Sequence, residues 1–67
     1  MQPAGIADKL TARRKELDLT MEDLASRSGV SFGTVRRIEA GGDLKVSTLR
    51  KLSVALNIDP ADLLQLA

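Results

Sequence analysis

The chain contains no cysteine, no histidine, no tryptophan and no tyrosine, and Phe32 is its single aromatic residue. Without cysteine there is neither a disulfide nor a thiolate ligand, and without histidine the commonest metal ligand and the commonest general base are missing as well. No metal site and no cofactor is therefore expected. Glu22 and Asp23 are adjacent, so they point to different faces of any helix, and no nucleophile and base accompany them. An enzyme is the poorest reading of such a chain. No run of about 18 apolar residues, no signal-peptide pattern and no low-complexity tract interrupts it. The expectation is a soluble protein of the cytoplasm with no membrane partner.

What is present is a supply of short aliphatic residues and a balanced set of charges. Hydrophobic residues make up 43% of the 67 positions, a composition that suits packed helices. At this length one domain, residues 1–67, is expected, because no second core fits in the remainder. Such a core is marginal, so dimerisation or attachment to a longer chain is expected to support it. Ten basic and nine acidic residues leave a net charge of +1, a weak argument for nucleic acid if only the total counts. Placement says more: Lys9, Arg13, Arg14, Lys15, Arg27, Arg36 and Arg37 fall in the first 37 positions.

Periodicity and punctuation predict five short helices and no strand, over residues 4–17, 21–28, 32–40, 46–56 and 60–66. In the first, Ile6, Leu10 and Leu17 share a face, and Asp18 is suited to a left-handed exit. Thr20 opens the second as N-cap, with Asp23 three residues on to reciprocate and Glu22 and Asp23 set against the positive end of the helix dipole. Gly29 stops it. Ser31 caps the third, whose buried pair is Val35 and Ile38, and Gly41 and Gly42 end it. Val46, Leu49, Leu52 and Leu56 mark the fourth, which gives way at Asn57. Asp59 and Pro60 read as the N-cap and first position of the fifth, with Asp62 completing a second capping pattern.

Thr20 to Ala40 reads as two short helices joined by a turn that contains glycine, the helix-turn-helix arrangement. The packing demands are particular. Ala25 must be small where the next helix crosses, Gly29 must permit a left-handed turn or a close backbone approach, and Leu24, Val30, Val35 and Ile38 must fill the wedge. The stretch LTMEDLASRSGVSFGTVRRIEAG, with Ala25, Gly29, Leu24, Val35 and Ile38 in order, followed by STLRKLSVALNIDPADLL, resembles the helix-turn-helix domain of phage repressors and Cro proteins, also found in bacterial regulators and antitoxins. The resemblance runs from about Ile6 to Leu64. It implies an all-α, five-helix fold and sequence-specific binding of double-stranded DNA; repression is the expected outcome of such binding, because a small domain on a promoter blocks polymerase, with activation as the alternative.

The resemblance further implies that Arg14 pairs with Glu39, and that the third helix enters the major groove with Phe32, Gly33, Thr34, Arg36 and Arg37 toward base edges. Arg37 is the foremost candidate, because its planar fork matches guanine O6 and N7. Ser31 and Thr34 are candidates for hydrogen bonds to phosphate or base, and Thr20 and Met21 supply a helix start that attracts phosphate. Arg27 and Lys45 add positive charge. Met21 stands where the family often has glutamine, and Gly42 and Asp43 stand where many relatives carry basic residues, so a monomer gives up contacts that a homodimer would recover. Each position also has a bland reading. Arginines on a helix face are ordinarily solvated, and Phe32 reads equally as a core or partner-facing residue. Ile58, Leu63, Leu64 and Leu66 form an apolar tail that either receives a second copy or finishes the core. The same fold also serves as an interaction module whose partner is a protein such as a toxin, and nothing in the sequence separates that role from DNA reading.

Overall fold

The computed structural model describes residues 5–64, and among them every regular element is a helix: α1 Ile6–Glu16, α2 Met21–Ser28, α3 Phe32–Glu39, α4 Val46–Ala55 and α5 Pro60–Leu64. The expected start of the first helix at residue 4, the expected end of the fifth at 66, and the side chains of Leu64 and Leu66 lie outside what is described. The third and fourth helices each stop one residue short of expectation, because Ala40 and Leu56 serve as their C-caps.

One spacing recurs at the start of four helices. Leu19 and Leu24 flank the N-cap Thr20, Val30 and Val35 flank Ser31, Leu44 and Leu49 flank Lys45, and Ile58 and Leu63 flank Asp59. All eight residues belong to the core cluster or pack against it. This is the pattern of a hydrophobic staple, in which the residue before the cap packs on the one five places later and fixes the angle at which the chain enters the helix. The caps add polar closure. Thr20 N–H donates to Asp23 Oδ2 at 2.9 Å and Asp23 N–H donates to Thr20 Oγ1 at 3.0 Å, so the expected capping box is present. At α5 the expected reciprocal bond from Asp62 is absent among the described residues. Asp59 Oδ1 instead accepts from Ala61 N–H at 2.9 Å, one position earlier, and Asp62 N–H bonds to the Asp59 carbonyl.

Three helices leave by one device, the Schellman turn, in which a left-handed residue lets its own N–H and that of the residue after it reach back to orphan carbonyls. Asp18 (φ 57°), Gly41 (φ 99°) and Asn57 (φ 51°) are the left-handed residues. The residue after each closes the longer bond: Leu19 N–H to Arg14 O at 3.1 Å, Gly42 N–H to Arg37 O at 2.9 Å, and Ile58 N–H to Ser53 O at 3.0 Å. Leu19 and Ile58 thereby end one helix and staple the next, which is why the connections are short.

The core is built from Leu10, Leu24, Val35, Ile38, Leu49, Leu52, Leu56 and Leu63, so all five helices contribute. Each such side chain contributes roughly 1.5 to 3 kcal/mol on burial. α2 packs on α3 and α4, α1 on α3 and α5, and α4 on α5. Arg13 ties α1 to the end of α4, its Nε donating to Leu56 O at 3.0 Å and its Nη2 to Asn57 O at 3.3 Å.

Two apolar expectations are corrected. Leu17 does not join the buried face of α1: it is the C-cap, 36% exposed, and the left-handed turn at Asp18 delivers Leu19 inward in its place. Val46 does not join the face of α4: it is 66% exposed at the first helical position, and Leu44, on the other side of the cap, packs on the core instead. The apolar tail is settled in part. Leu63 is fully buried and so is not a surface on which a second copy docks, whereas Ile58 packs against the core of the single chain and is half-buried.

Candidate nucleic-acid interface

The turn between α2 and α3 is set by two residues. Gly29 adopts φ 75°, and nothing lies within 4 Å of where its Cβ would stand, so its role is the left-handed turn and not a close backbone approach. Val30 then drops into the core, its N–H held by Ser28 Oγ at 3.2 Å. Ala25 is half-buried beneath the crossing and its carbonyl accepts the Gly29 N–H at 3.0 Å.

Ser31 starts α3. Its Oγ accepts from Thr34 N–H at 3.2 Å and donates to Thr34 Oγ1 at 2.8 Å, which leaves the half-buried Thr34 hydroxyl with a proton to offer outward. Val35 and Ile38, three apart, take the inner face. The outer face follows from helical spacing: Phe32 and Arg36, and Gly33 and Arg37, are each four apart, so they form two adjacent columns. Ser31, Phe32, Gly33, Arg36 and Arg37 are all exposed. Phe32, at 43%, is therefore not a core residue of the single chain. Nothing lies within 4 Å of a Cβ built on Gly33, so no packing inside the chain requires a glycine there.

The rear of α3 is locked to α1. Arg14 Nε donates to Glu39 Oε2 at 2.8 Å and Nη2 to Oε1 at 3.0 Å, a two-pronged pair whose side chains are 9% and 5% exposed. Arg14 Nη1 donates to Leu19 O at 2.7 Å, and Thr11 Oγ1 donates to Glu39 Oε1 at 2.9 Å. The sequence resemblance had Arg14 and Glu39 meeting, and here they meet in full fork geometry. Glu39 lies two residues after Arg37, so the lock and the exposed guanidinium sit on opposite sides of the same turn.

The start of α2 presents Thr20 and Met21 as expected, with a difference. Thr20 is exposed, but Met21 is half-buried against the core, so the first turn offers its backbone N–H groups and not a free side chain at that position. The Thr20 N–H holds the Asp23 carboxylate, and that bond, reinforced by the Thr20 side chain, lowers the Asp23 pKa below its ordinary value. Arg27 and Lys45 are exposed, Lys45 as the N-cap residue of α4 without a side-chain cap bond. Among the described residues no carboxylate lies within ion-pair distance of Arg27, Arg36, Arg37 or Lys45.

Two features were missed by sequence reasoning. Lys15, Thr11, Met21 and Arg36 line one shallow cleft between α1 and α3, so Lys15 joins the basic residues beside α3. Arg37 Nη1 donates to the carbonyl of Asp43 at 3.0 Å, which fastens the foremost candidate to the loop behind it. The first was hinted at by Lys15 lying one residue from Arg14. The second left no trace, since a carbonyl acceptor has no residue identity.

Residues 10–63 match the helix-turn-helix family. The chain is also 43% identical over 56 residues to the HTH-type transcriptional repressor RghR of Bacillus subtilis (strain 168), an alignment covering 81% of this chain and 42% of that protein. The chain thus spans less than half the length of this relative.

Proposed function

The chain belongs to the helix-turn-helix family, and from that premise we propose that it reads double-stranded DNA in a sequence-specific manner as a transcriptional repressor, with α3 in the major groove. The observation that carries this reading is the outer face of α3, where Phe32, Gly33, Arg36 and Arg37 are exposed while Val35 and Ile38 hold the helix to the body. A similar relative named as a repressor supports the regulatory outcome. A small domain seated on a promoter blocks polymerase without further parts.

In this reading Arg37 recognises a base, Phe32 packs on a thymine methyl, Gly33 permits close approach, and Ser31 and Thr34 bond to phosphate or base. The start of α2 receives a phosphate on its backbone N–H groups, and Arg27, Arg36 and Lys45 contribute positive charge. Binding as a homodimer places two reading helices about 34 Å apart and favours a palindromic operator. The cytoplasm is where such a protein works.

Selection of bound sites from random duplexes, followed by anisotropy titration of the selected duplex at two salt concentrations, tests the proposal. Affinity is expected to fall steeply with salt, with a slope that counts neutralised phosphates. Failure of every duplex to associate in dilute buffer overturns it in favour of a protein partner, such as a toxin.

A further inference from the structure

Gly42 has a property its neighbours lack. Gly41 is a glycine of conformation, left-handed with open space around it, whereas Gly42 is a glycine of proximity. A Cβ at Gly42 would stand 2.7 Å from Arg37 Cγ, 2.8 Å from Arg37 O and 3.3 Å from Arg37 Nη1. In a Schellman turn this position and the one five residues back ordinarily share a hydrophobic contact. Here the later partner has no side chain, and the arginine stem fills the room.

Arg37 is therefore held at two points: its carbonyl accepts the Gly42 N–H at 2.9 Å and its Nη1 donates to Asp43 O at 3.0 Å. Among the described residues the other edge, Nε and Nη2, has no acceptor. Arg14 shows what that edge does. It occupies the same place in the exit turn of α1, its Nη1 donates to the Leu19 carbonyl beyond the helix, and its Nε and Nη2 grip the two oxygens of Glu39. An arginine tied back through Nη1 presents a fixed two-donor edge, the arrangement that fits the paired acceptors O6 and N7 of guanine.

We propose that Gly42 is a positioning residue for specificity: by lacking a side chain it lets Arg37 lie against the loop and present its Nε–Nη2 edge ready formed for guanine. This rests on the reading that Arg37 contacts a base. The gain is preorganisation, since a long side chain already ordered in the free protein loses less freedom on binding.

The test combines the variants Gly42→Ala, Arg37→Ala and the double variant with two readouts. In the free protein, ¹⁵N relaxation of the Arg37 Nε–H group is expected to show an ordered side chain that loosens in Gly42→Ala. On DNA, Arg37→Ala is expected to lower preference at one guanine by roughly 5- to 150-fold, and Gly42→Ala at the same guanine by ~2- to 10-fold. In the Arg37→Ala background, Gly42→Ala is expected to change preference no further. An Arg37 group equally ordered with and without the alanine overturns the proposal, as does an equal loss of preference in both backgrounds. If Gly42→Ala unfolds the chain, the double variant decides: removal of Cγ and Nη1 leaves only the 2.8 Å approach to the Arg37 carbonyl, so part of the lost stability is expected to return, and a loss equal in both backgrounds makes Gly42 a purely structural residue. If Arg37→Ala relaxes no base pair, the base-reading role of Arg37 fails, while the relaxation data still report whether Gly42 holds it.

Discussion

The exits of α1 and α3 are built alike and used in opposite ways. Both are Schellman turns, both carry an arginine third from the helix end, and both tie that arginine's Nη1 to a carbonyl beyond the turn. At α1 the residue that closes the turn is Leu19, which goes into the core and takes Arg14 with it, toward Glu39. At α3 it is Gly42, which takes nothing inward, and Arg37 remains exposed. The closing residue and the guanidinium thus go together, a core leucine beside the buried Arg14 and an exposed glycine beside the exposed Arg37. The two are also coupled, because Glu39 fixes the rotation of the helix from which Arg37 projects.

The largest effect that would break this comparison lies on the buried side. Removing one partner of a buried pair leaves the other charged and unpaired, at a cost of about 3 to 5 kcal/mol. Glu39→Ala is therefore expected to lower the urea midpoint sharply and to abolish binding to any duplex, because the chain no longer folds fully under ordinary conditions. If stability barely changed, the buried pair would not be what orients α3. Next in size is Arg37→Ala, expected to leave stability within about 0.5 kcal/mol and to cost roughly 1 to 3 kcal/mol on the selected site. Equal weakening on every duplex would make Arg37 a phosphate contact and the two-donor edge irrelevant.

A smaller effect concerns the turn common to both exits. Gly41→Ala forces a Cβ into the left-handed region, at roughly 1 to 2 kcal/mol, and thermal unfolding should register it. Asp18 already carries that strain at α1, so Asp18→Gly is expected to be near neutral or stabilising. Arg27→Ala should weaken binding uniformly across sequences and lower the salt slope by about 1; an unchanged slope would remove Arg27 from the interface.

Much of this architecture could be read from residue types, because caps and left-handed exits depend on local chemistry. Thr20 with Asp23, Ser31, Asp18 and Asn57 all do what their side chains suit them to do, and Gly29 does what the lack of one permits. The failures occur where an apolar residue sits at a helix end. Leu17 and Val46 fit the period of their helices, but a period says nothing of where the helix stops relative to the core, and Leu19 and Leu44 take the buried places from outside. The outward character of α3 follows from Val35 and Ile38 being three apart. The hold on Arg37 does not, because it depends on a carbonyl and on the absence of a side chain at Gly42.

Acid sharpens the comparison least in size but most cleanly in attribution. The start of α2 carries a carboxylate whose protonation can be followed by itself. The Thr20 N–H and hydroxyl hold the Asp23 pKa below its ordinary value of 3.8. A group whose folded pKa is depressed adds stability in full above its unfolded pKa, and that contribution is lost as pH falls through the folded value. The difference in unfolding free energy between the wild-type chain and Asp23→Ala should therefore be flat from neutral pH down to the ordinary carboxylate range, then shrink at lower pH. Taking the difference cancels whatever the other acids do. A gap that stays constant to strong acid would mean that what Asp23 contributes does not depend on its charge; the Asp23 N–H bond to Thr20 Oγ1 is a backbone bond that the alanine variant keeps, so it cancels in the difference.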